Sequence, residues 1–283
     1  MLLVLCAVLF GLTPLFARGL QAEGMSDAAI AFWRYGVSAV CLLPFVPRRR
    51  EKRGQALLLV MVGLLMGLGW IAYLSAIRSA PVAAAGVVYM SYPLFTVLFA
   101  WILIGHRPGA RAVCAGVLIL AAAGMLLQPG VLSGQAMQAL LWSLPAPMSF
   151  SLAILVLTAM TPRLGVLEKM VCALGGAALA LGPVALFTPA GGAVPVSVEG
   201  WGLLLSLAAG TAFVPQMIYT MAGPFVGPAR ASATGAFELP TMIVIGWLAL
   251  GEALGPREAL AGAMVVLAIC LAPAVRVDPG ARG

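Results

Sequence analysis

The chain has 283 residues, of which 63% are hydrophobic and only 9% are charged, and its mean hydropathy is +1.08. A soluble domain carries about a quarter charged residues, so this composition excludes an ordinary soluble protein and indicates a membrane protein. The net charge of +7 would suggest a nucleic-acid partner in a soluble chain. Here the basic residues lie between apolar segments, and no nucleic acid is expected.

Ten apolar segments follow one another along the chain. Crossing ~30 Å of hydrocarbon takes roughly 20 mostly apolar residues per helix, and the segments have about this length. They lie at 2–17, 28–46, 55–76, 82–104, 110–127, 138–159, 168–187, 200–221, 230–250 and 257–274. The short connections leave no room for a soluble catalytic domain. The sequence therefore predicts an all-α polytopic membrane protein with ten transmembrane helices.

The first segment has a competing interpretation as a signal peptide, because "MLLVLCAVLFGLTPLFARGLQA" is apolar and ends in small residues. Signal peptides carry positive charge before the apolar core, whereas Arg18 follows it. We therefore expect the first segment to be a transmembrane helix, with cleavage as the alternative.

The distribution of lysine and arginine predicts the orientation. With a cytoplasmic N-terminus, only Arg18, Arg78 and Arg257 lie on the outer side, and Arg34 lies within a span. The inner side holds Arg48, Arg49, Arg50, Lys52, Arg53, Arg107, Arg111, Arg163, Lys169, Arg230, Arg276 and Arg282. By the positive-inside rule both termini are cytoplasmic. Short loops and this bias suit a bacterial inner membrane.

The chain also repeats itself. A shift of 146 positions pairs Gly105 with Gly251, Gly109 with Gly255, Arg111 with Arg257, Gly116 with Gly262 and Tyr73 with Tyr219, and one more position pairs Pro93 with Pro240. Each repeat holds five spans, an odd number, so the second repeat must be inverted, which is a recurrent plan of secondary transporters. We expect repeats at 1–128 and 138–274 and a cytoplasmic tail at 275–283.

The stretch "AIRSAPVAAAGVVYMSYPLFTVLFAWILIGHRPGARAVCAGVLILAAAG" strongly resembles the EamA-type domain of the drug/metabolite transporter superfamily, and Thr220 to Ala268 resembles its second copy. The Arg34-Tyr35 pair in the second span resembles the position at which that domain usually has an arginine. The resemblance implies a ten-helix exporter-type fold, with amino acids and other small metabolites as typical cargo and with the fifth and tenth helices peripheral. The family usually has Glu after the glycine that ends the fourth helix, which fits Glu252 but not His106.

Two charged residues lie deep within spans. A charge at bilayer depth costs roughly 2.5–3.5 kcal/mol, so it persists where it faces protein or water and usually has a function. Arg34 lies ~10 Å inside the outer end of the second span and Glu238 ~12 Å inside the inner end of the ninth. In a ~30 Å core, ~8 Å separates them along the membrane normal. A structural ion pair or a small ligand could bridge that distance.

Polar and aromatic side chains recur near these charges. Thr234, Glu238 and Thr241 share one helix face, beside Pro240, which removes a backbone donor. Similar stripes are Tyr89, Tyr92 and Thr96; Gln216 and Tyr219; Trp142, Pro145 and Ser149; and Trp70 and Tyr73. Such convergence predicts a small-molecule site whose substrate-binding residues are Arg34, Glu238, Tyr73, Tyr89, Tyr92, Trp142, Gln216 and Tyr219. Interfacial or packing roles are the alternative for each aromatic residue.

An amino acid would suit this site, since it offers a carboxylate to Arg34, an ammonium to Glu238 and a side chain to the aromatic rings. We therefore predict a secondary active transporter that exports a small polar or zwitterionic metabolite by alternating access. Glu238 is the candidate for proton coupling, because an apolar cavity disfavours its charged form. A lipid or lipid-linked-sugar flippase, an uncoupled facilitator and a non-transporting membrane partner are the alternatives.

Enzymatic chemistry is not expected. The five cysteines occur singly in apolar segments, and His106 has no partner at metal-ligand spacing. Neither a catalytic cluster nor a metal or cofactor motif is present, so we predict no enzyme, metal or cofactor.

The sequence "GLLMG" from Gly63 to Gly67 has helix-packing spacing. We expect it to join helices within one chain, and a monomer and a homodimer remain open.

Overall fold

A computed structural model describes residues 2–105, 107, 109–126, 132–187, 191–226, 231, 234–235 and 237–271. The predictions made for His106, Arg230 and the tail at 275–283 lie outside this part of the chain. Regular structure in the described ranges is helical, apart from isolated β-bridge residues such as Met25 and Gly192.

The described residues form a series of α-helices with short connections between most of them. They are α1 (Leu2–Gly11), α2 (Thr13–Ala22), α3 (Asp27–Leu42), α4 (Arg53–Ser79), α5 (Val82–Tyr89), α6 (Tyr92–Ile104), α7 (Ala110–Leu126), α8 (Gly134–Trp142), α9 (Pro145–Leu155), α10 (Val166–Phe187), α11 (Val198–Ala208), α12 (Val214–Val226), α13 (Glu238–Leu250) and α14 (Pro256–Leu271). Single π-helical turns follow α9 at Val156–Met160 and α11 at Ala209–Phe213.

Seven helical segments are long and apolar enough to cross a membrane. Within the described residues they are Leu2–Ala22, Asp27–Phe45, Arg50–Ser79, Val82–Ile104, Gly134–Met160, Val166–Phe187 and Val198–Val226. Ala110–Ala122 and Glu238–Leu250 are apolar but shorter. The all-α polytopic class is thereby confirmed, while the count of ten spans and the inverted repeat remain predictions.

Several predicted spans are interrupted rather than continuous. The interruptions lie at Leu12, Met90–Ser91 and Ser143–Leu144. In each case the next helix has a proline in its first turn, at Pro14, Pro93 and Pro145. Proline lacks an N–H and clashes with the preceding turn, but it is well tolerated where a helix begins. Each of these prolines therefore favours a break within one predicted span, so that the span consists of two shorter helices.

Helix α10 packs closely along both α3 and α4. Gly63 of α4 faces the backbone of Ala173, and Gly176 of α10 faces the carbonyl oxygen of Val60. A Cβ atom at either glycine would overlap that backbone, so only glycine permits this approach. The glycine motif joins two helices of one chain, which confirms the prediction made for it.

The helices α7 and α14 pack against each other at the edge of the bundle. They share a small cluster of Ala115, Ile119 and Ala268 that is separate from the main core. This is the peripheral placement that the family resemblance implies for the fifth and tenth spans. The remaining helices enclose the site described below.

Gly176→Ala should lower the melting temperature of the purified protein in detergent, because the new methyl group would overlap the Val60 carbonyl oxygen. Overpacking of this kind costs about 1–3 kcal/mol. The matched control is Gly175→Ala, since a Cβ there meets no atom within 4 Å. Thermal unfolding of both variants tests the contact, and equal melting temperatures would contradict it.

Candidate functional site

Arg34 lies on the buried face of α3, with 2% of its surface exposed. Its Nε donates to Thr211 Oγ1 at 3.2 Å, its Nη2 donates to the Thr211 carbonyl at 2.6 Å, and its Nη1 donates to the Tyr35 hydroxyl at 3.3 Å. The guanidinium carbon is 3.7 Å from the centre of the Trp70 ring. Arginine has five N–H donors, so two of them remain without an acceptor among the described residues.

The local sequence explains why the Thr211 carbonyl is available to accept a hydrogen bond from Arg34. In a regular α-helix the amide of residue 215 would donate to the carbonyl of Thr211, but Pro215 has no N–H. The chain forms a π-helical turn at Ala209–Phe213 just before this proline, a feature common at functional sites. The Thr211 carbonyl is therefore free to accept from Arg34, which lies 177 positions earlier in the chain.

Glu238 is the first residue of α13 and is 2% exposed. We expected it about eight residues inside a continuous helix, whereas α13 begins at Glu238 after a turn at Phe237. Pro240 explains the difference, because proline is favoured in the first turn of a helix. A carboxyl group in the first turn of a helix lies near the positive end of the helix dipole.

Arg34 and Glu238 do not form an ion pair with each other. The ion pairs in the described ranges are Arg18–Glu252, Lys52–Glu168 and Arg78–Asp27. Both groups are buried, and the structural ion pair considered as an alternative is absent.

A continuous aromatic surface lies between these groups. This aromatic wall consists of Tyr35, Trp70, Tyr73, Tyr89, Tyr92 and Phe150. Ring centroids are 4.9 Å apart for Trp70 and Tyr73, 4.8 Å for Tyr73 and Tyr89, and 5.1 Å for Tyr92 and Phe150. Such spacings are those of interacting rings. The predicted residues Tyr73, Tyr89 and Tyr92 are therefore brought together.

The aromatic wall reaches the helix that carries Glu238. The Tyr73 hydroxyl donates to Met242 Sδ at 3.7 Å, one turn beyond Glu238, and the Tyr92 hydroxyl contacts Gly235. The aromatic wall thus adjoins the helix that begins with Glu238.

The predicted residues of α12 supply polar groups close to this site. Gln216 and Tyr219 are 5% and 3% exposed. The Tyr219 hydroxyl has no hydrogen-bond partner in the described part of the chain, and the same holds for the Ser38 hydroxyl, one turn beyond Arg34. Buried hydroxyls normally have a partner, so both mark positions where a polar ligand atom would be favourable.

Not every predicted residue reaches the site. Trp142 is 69% exposed on α8 and makes no ring contact with the aromatic wall. The hydroxyls of Thr96, Ser149 and Thr241 bond to carbonyls of their own helices, which is the ordinary role of such groups in apolar helices. Their position in the predicted stripes reflects helix periodicity rather than contact with a ligand.

The structure adds four residues that we did not propose as site residues from the sequence, namely Tyr35, Trp70, Phe150 and Thr211. Trp70 lies one turn before Tyr73, so its helical spacing was a usable signal. Pro215 was the signal for Thr211, since it identifies the carbonyl four residues earlier as unpaired. Nothing in the sequence distinguished Phe150 as a site residue, because apolar residues occur at most positions of an apolar helix.

Polar contacts close both ends of the bundle around the site. At the end predicted to be outside, Glu252 pairs with Arg18 at 3.1 Å and accepts from the Val82 amide at 2.9 Å. At the opposite end Lys52 Nζ lies 2.6 Å from Glu168 Oε2. Each contact joins a residue before 128 to one after it. Glu252 thus caps the N-terminus of α5 in the first half of the chain.

Comparison with known proteins shows similarity at three levels: a family model, a named relative and a solved structure. Residues 1–128 match the family model of the EamA-like transporter family. The riboflavin transporter of Rhizobium johnstonii is 29% identical over 267 residues, which are 89% of this chain and 82% of that protein. One solved crystal structure is 18% identical, covers 95% of this chain and 94% of its own, and has a TM-score of 0.67. At this identity the solved structure shows the fold alone.

Thr211→Val should lower thermal stability in detergent by about 1–3 kcal/mol, because it leaves the Nε–H of the buried Arg34 without its acceptor. Thr220→Val is the matched control, since Thr220 is also buried and, among the described residues, its hydroxyl bonds to the Gln216 carbonyl of its own helix. A drop in melting temperature no larger for Thr211→Val than for Thr220→Val would show that the Arg34 contact contributes nothing.

Proposed function

Residues 1–128 match the EamA-like transporter family model, and from this premise we propose that the chain is a ten-span secondary transporter built from two inverted repeats, 1–128 and 138–274. The positions of the interruptions support the repeat. The first and sixth predicted spans are both divided, and new helices begin just before Pro93 in the fourth span and Pro240 in the ninth. The family and its named relative point to transport rather than to an enzyme.

The cargo we propose is a small polar or zwitterionic metabolite, with amino acids and their derivatives as the leading class. One observation carries this proposal: the guanidinium of Arg34 and the carboxyl of Glu238 are both buried and do not pair with each other. Buried charges normally have an opposite charge in contact. A zwitterion would supply both partners at once.

The geometry suggests a role for each group. The two remaining N–H donors of Arg34 would bind the cargo carboxylate, and Glu238 would bind its ammonium group. Tyr73, Tyr89 and Tyr92 would contact the cargo side chain. Gln216 and the unpartnered Tyr219 hydroxyl would complete the binding set, and Trp142 is left out because it faces away from the site.

A planar conjugated cargo such as a flavin is the second candidate. The aromatic wall favours it, because six adjoining rings offer more stacking surface than a small aliphatic metabolite needs. The relative from Rhizobium johnstonii is named a riboflavin transporter. A flavin has no ammonium group, so this cargo would leave Glu238 for hydrogen bonding or proton transfer.

We further propose export by alternating access from a bacterial inner membrane protein with cytoplasmic termini. The contacts of Glu252 at one end and Lys52 at the other would open in turn, while the cargo stays near the middle. Glu238 would couple the cycle to protons, because its neutral form suits an apolar cavity. A lipid flippase or an uncoupled facilitator of the same fold remains the alternative.

Arg34→Ala and Glu238→Ala should each reduce flux in proteoliposomes by roughly tenfold or more, the loss expected for a missing bond to a charged group. Labelled amino acids and riboflavin are the probes, assayed side by side. Arg111→Ala and Glu51→Ala, both at exposed positions, are the controls and should transport normally. Unchanged flux of every transported probe in both site variants would contradict the assignment.

Proton coupling predicts that an inward proton gradient accelerates export by the wild-type protein and has no effect on Glu238→Gln, which cannot exchange a proton. Flux is measured with and without the gradient at one internal pH. A wild-type protein that ignores the gradient would indicate uniport. Scrambling of a fluorescent phospholipid, absent from Glu238→Gln, would instead favour the flippase.

A further inference from the structure

A long apolar groove runs along the outer surface of the bundle between α3 and α10, with a volume of about 640 Å³. It extends from Val171 to Phe187 on α10, which is ~24 Å at 1.5 Å per residue and most of the ~30 Å hydrocarbon core. Gly36, Gly175 and Gly182 are among the residues that line it. The absence of side chains at these positions makes the surface concave, and no charged residue lines the groove.

The groove is separate from the candidate transport site. Phe32 and Gly36 line it, whereas Arg34 and Tyr35, between them in sequence, are buried on the other face of α3. Its rim consists of strongly exposed side chains, among them Val40 at 66% and Leu179 at 67%. An exposed apolar groove of this shape, parallel to the membrane-spanning helices, matches a lipid acyl chain rather than a polar cargo.

One end of the groove is basic. Val46 lines both the groove and a second cavity of about 510 Å³, which also contains Arg48. Arg48 Nη1 donates to the Pro44 carbonyl at 3.3 Å, which holds the guanidinium beside the groove with its other donors unused among the described residues. Glu168 in this cavity is already paired with Lys52. Arg49 and Arg50 follow directly and are exposed.

We propose that this groove binds an anionic phospholipid, with an acyl chain between α3 and α10 and the phosphate on Arg48. The polarity agrees with the predicted orientation, since this basic end faces the cytoplasm. Basic pockets between transmembrane helices on that side suit anionic head groups. The apolar groove supplies the contact area for the chain, and the arginine supplies the preference for the head group.

The test is native mass spectrometry of the full chain in detergent, titrated with palmitoyl-oleoyl phosphatidylglycerol and, separately, with the matching phosphatidylethanolamine. The wild-type protein should retain one phosphatidylglycerol in preference to phosphatidylethanolamine. Gly175→Leu should weaken retention of both lipids roughly tenfold, because its side chain would displace about two methylene groups of the acyl chain from the groove. A Cβ at Gly175 meets no protein atom within 4 Å, so the variant should fold.

Arg48→Gln should lower only the preference for phosphatidylglycerol, by about fivefold, the share of one arginine near an anionic head group. The matched controls are Gly202→Leu, at another glycine whose Cβ meets nothing within 4 Å, and Arg111→Gln, at an exposed position on α7. Both should bind lipid as the wild-type protein does.

Equal retention by Gly175→Leu and Gly202→Leu would overturn the proposal, and so would equal affinity of the wild-type protein for the two lipids. A dimer that dissociates in Gly175→Leu would assign the groove to a second copy of the chain instead. Because lipid retention is measured without cargo, these outcomes are independent of the transport assays.

Discussion

The contact between Arg34 and Thr211 is the interaction on which the site depends. A guanidinium buried among apolar helices needs acceptors, because an unpaired charge there is costly. Pro215 provides one by leaving the Thr211 carbonyl without its helical donor, and the π-helical turn before it directs that carbonyl toward α3. Arg34, in the first half of the chain, is thereby held by the irregular helical turn around Thr211 in the second half. The Trp70 ring covers the guanidinium.

The position of Glu238, the other buried ionisable residue, also depends on an interrupted helix. A carboxyl in the middle of a continuous apolar helix gains nothing from the helix dipole, whereas Glu238 lies in the first turn of α13, near the positive end of the dipole. Pro240 makes this start favourable, and Pro93 does the same for α6, which begins with Tyr92. Proline therefore positions both an acid and part of the aromatic wall near the middle of the bundle.

The helix α3 separates two chemical environments. Its inner face carries Arg34, Tyr35 and Ser38 into the candidate transport site, while its outer face, with Phe32 and Gly36, forms one side of the groove along α10. The close packing of α10 on α4 through glycine holds the far side of that groove in place. Lipid in the groove and cargo in the site would thus contact opposite faces of one helix, whose position each could influence.

Sequence alone determined the class of the protein, the approximate positions of the apolar segments and the two deep charges, because hydropathy and the cost of buried charge act locally. Helical spacing also predicted Tyr73, Tyr89 and Tyr92 as site residues, and the structure brings their rings together. Only the tertiary structure decided that Arg34 and Glu238 do not pair, that Trp142 lies outside the site and that Phe150 lies within it. Those outcomes depend on how helices distant in sequence are placed and rotated against one another, which periodicity within one helix does not specify.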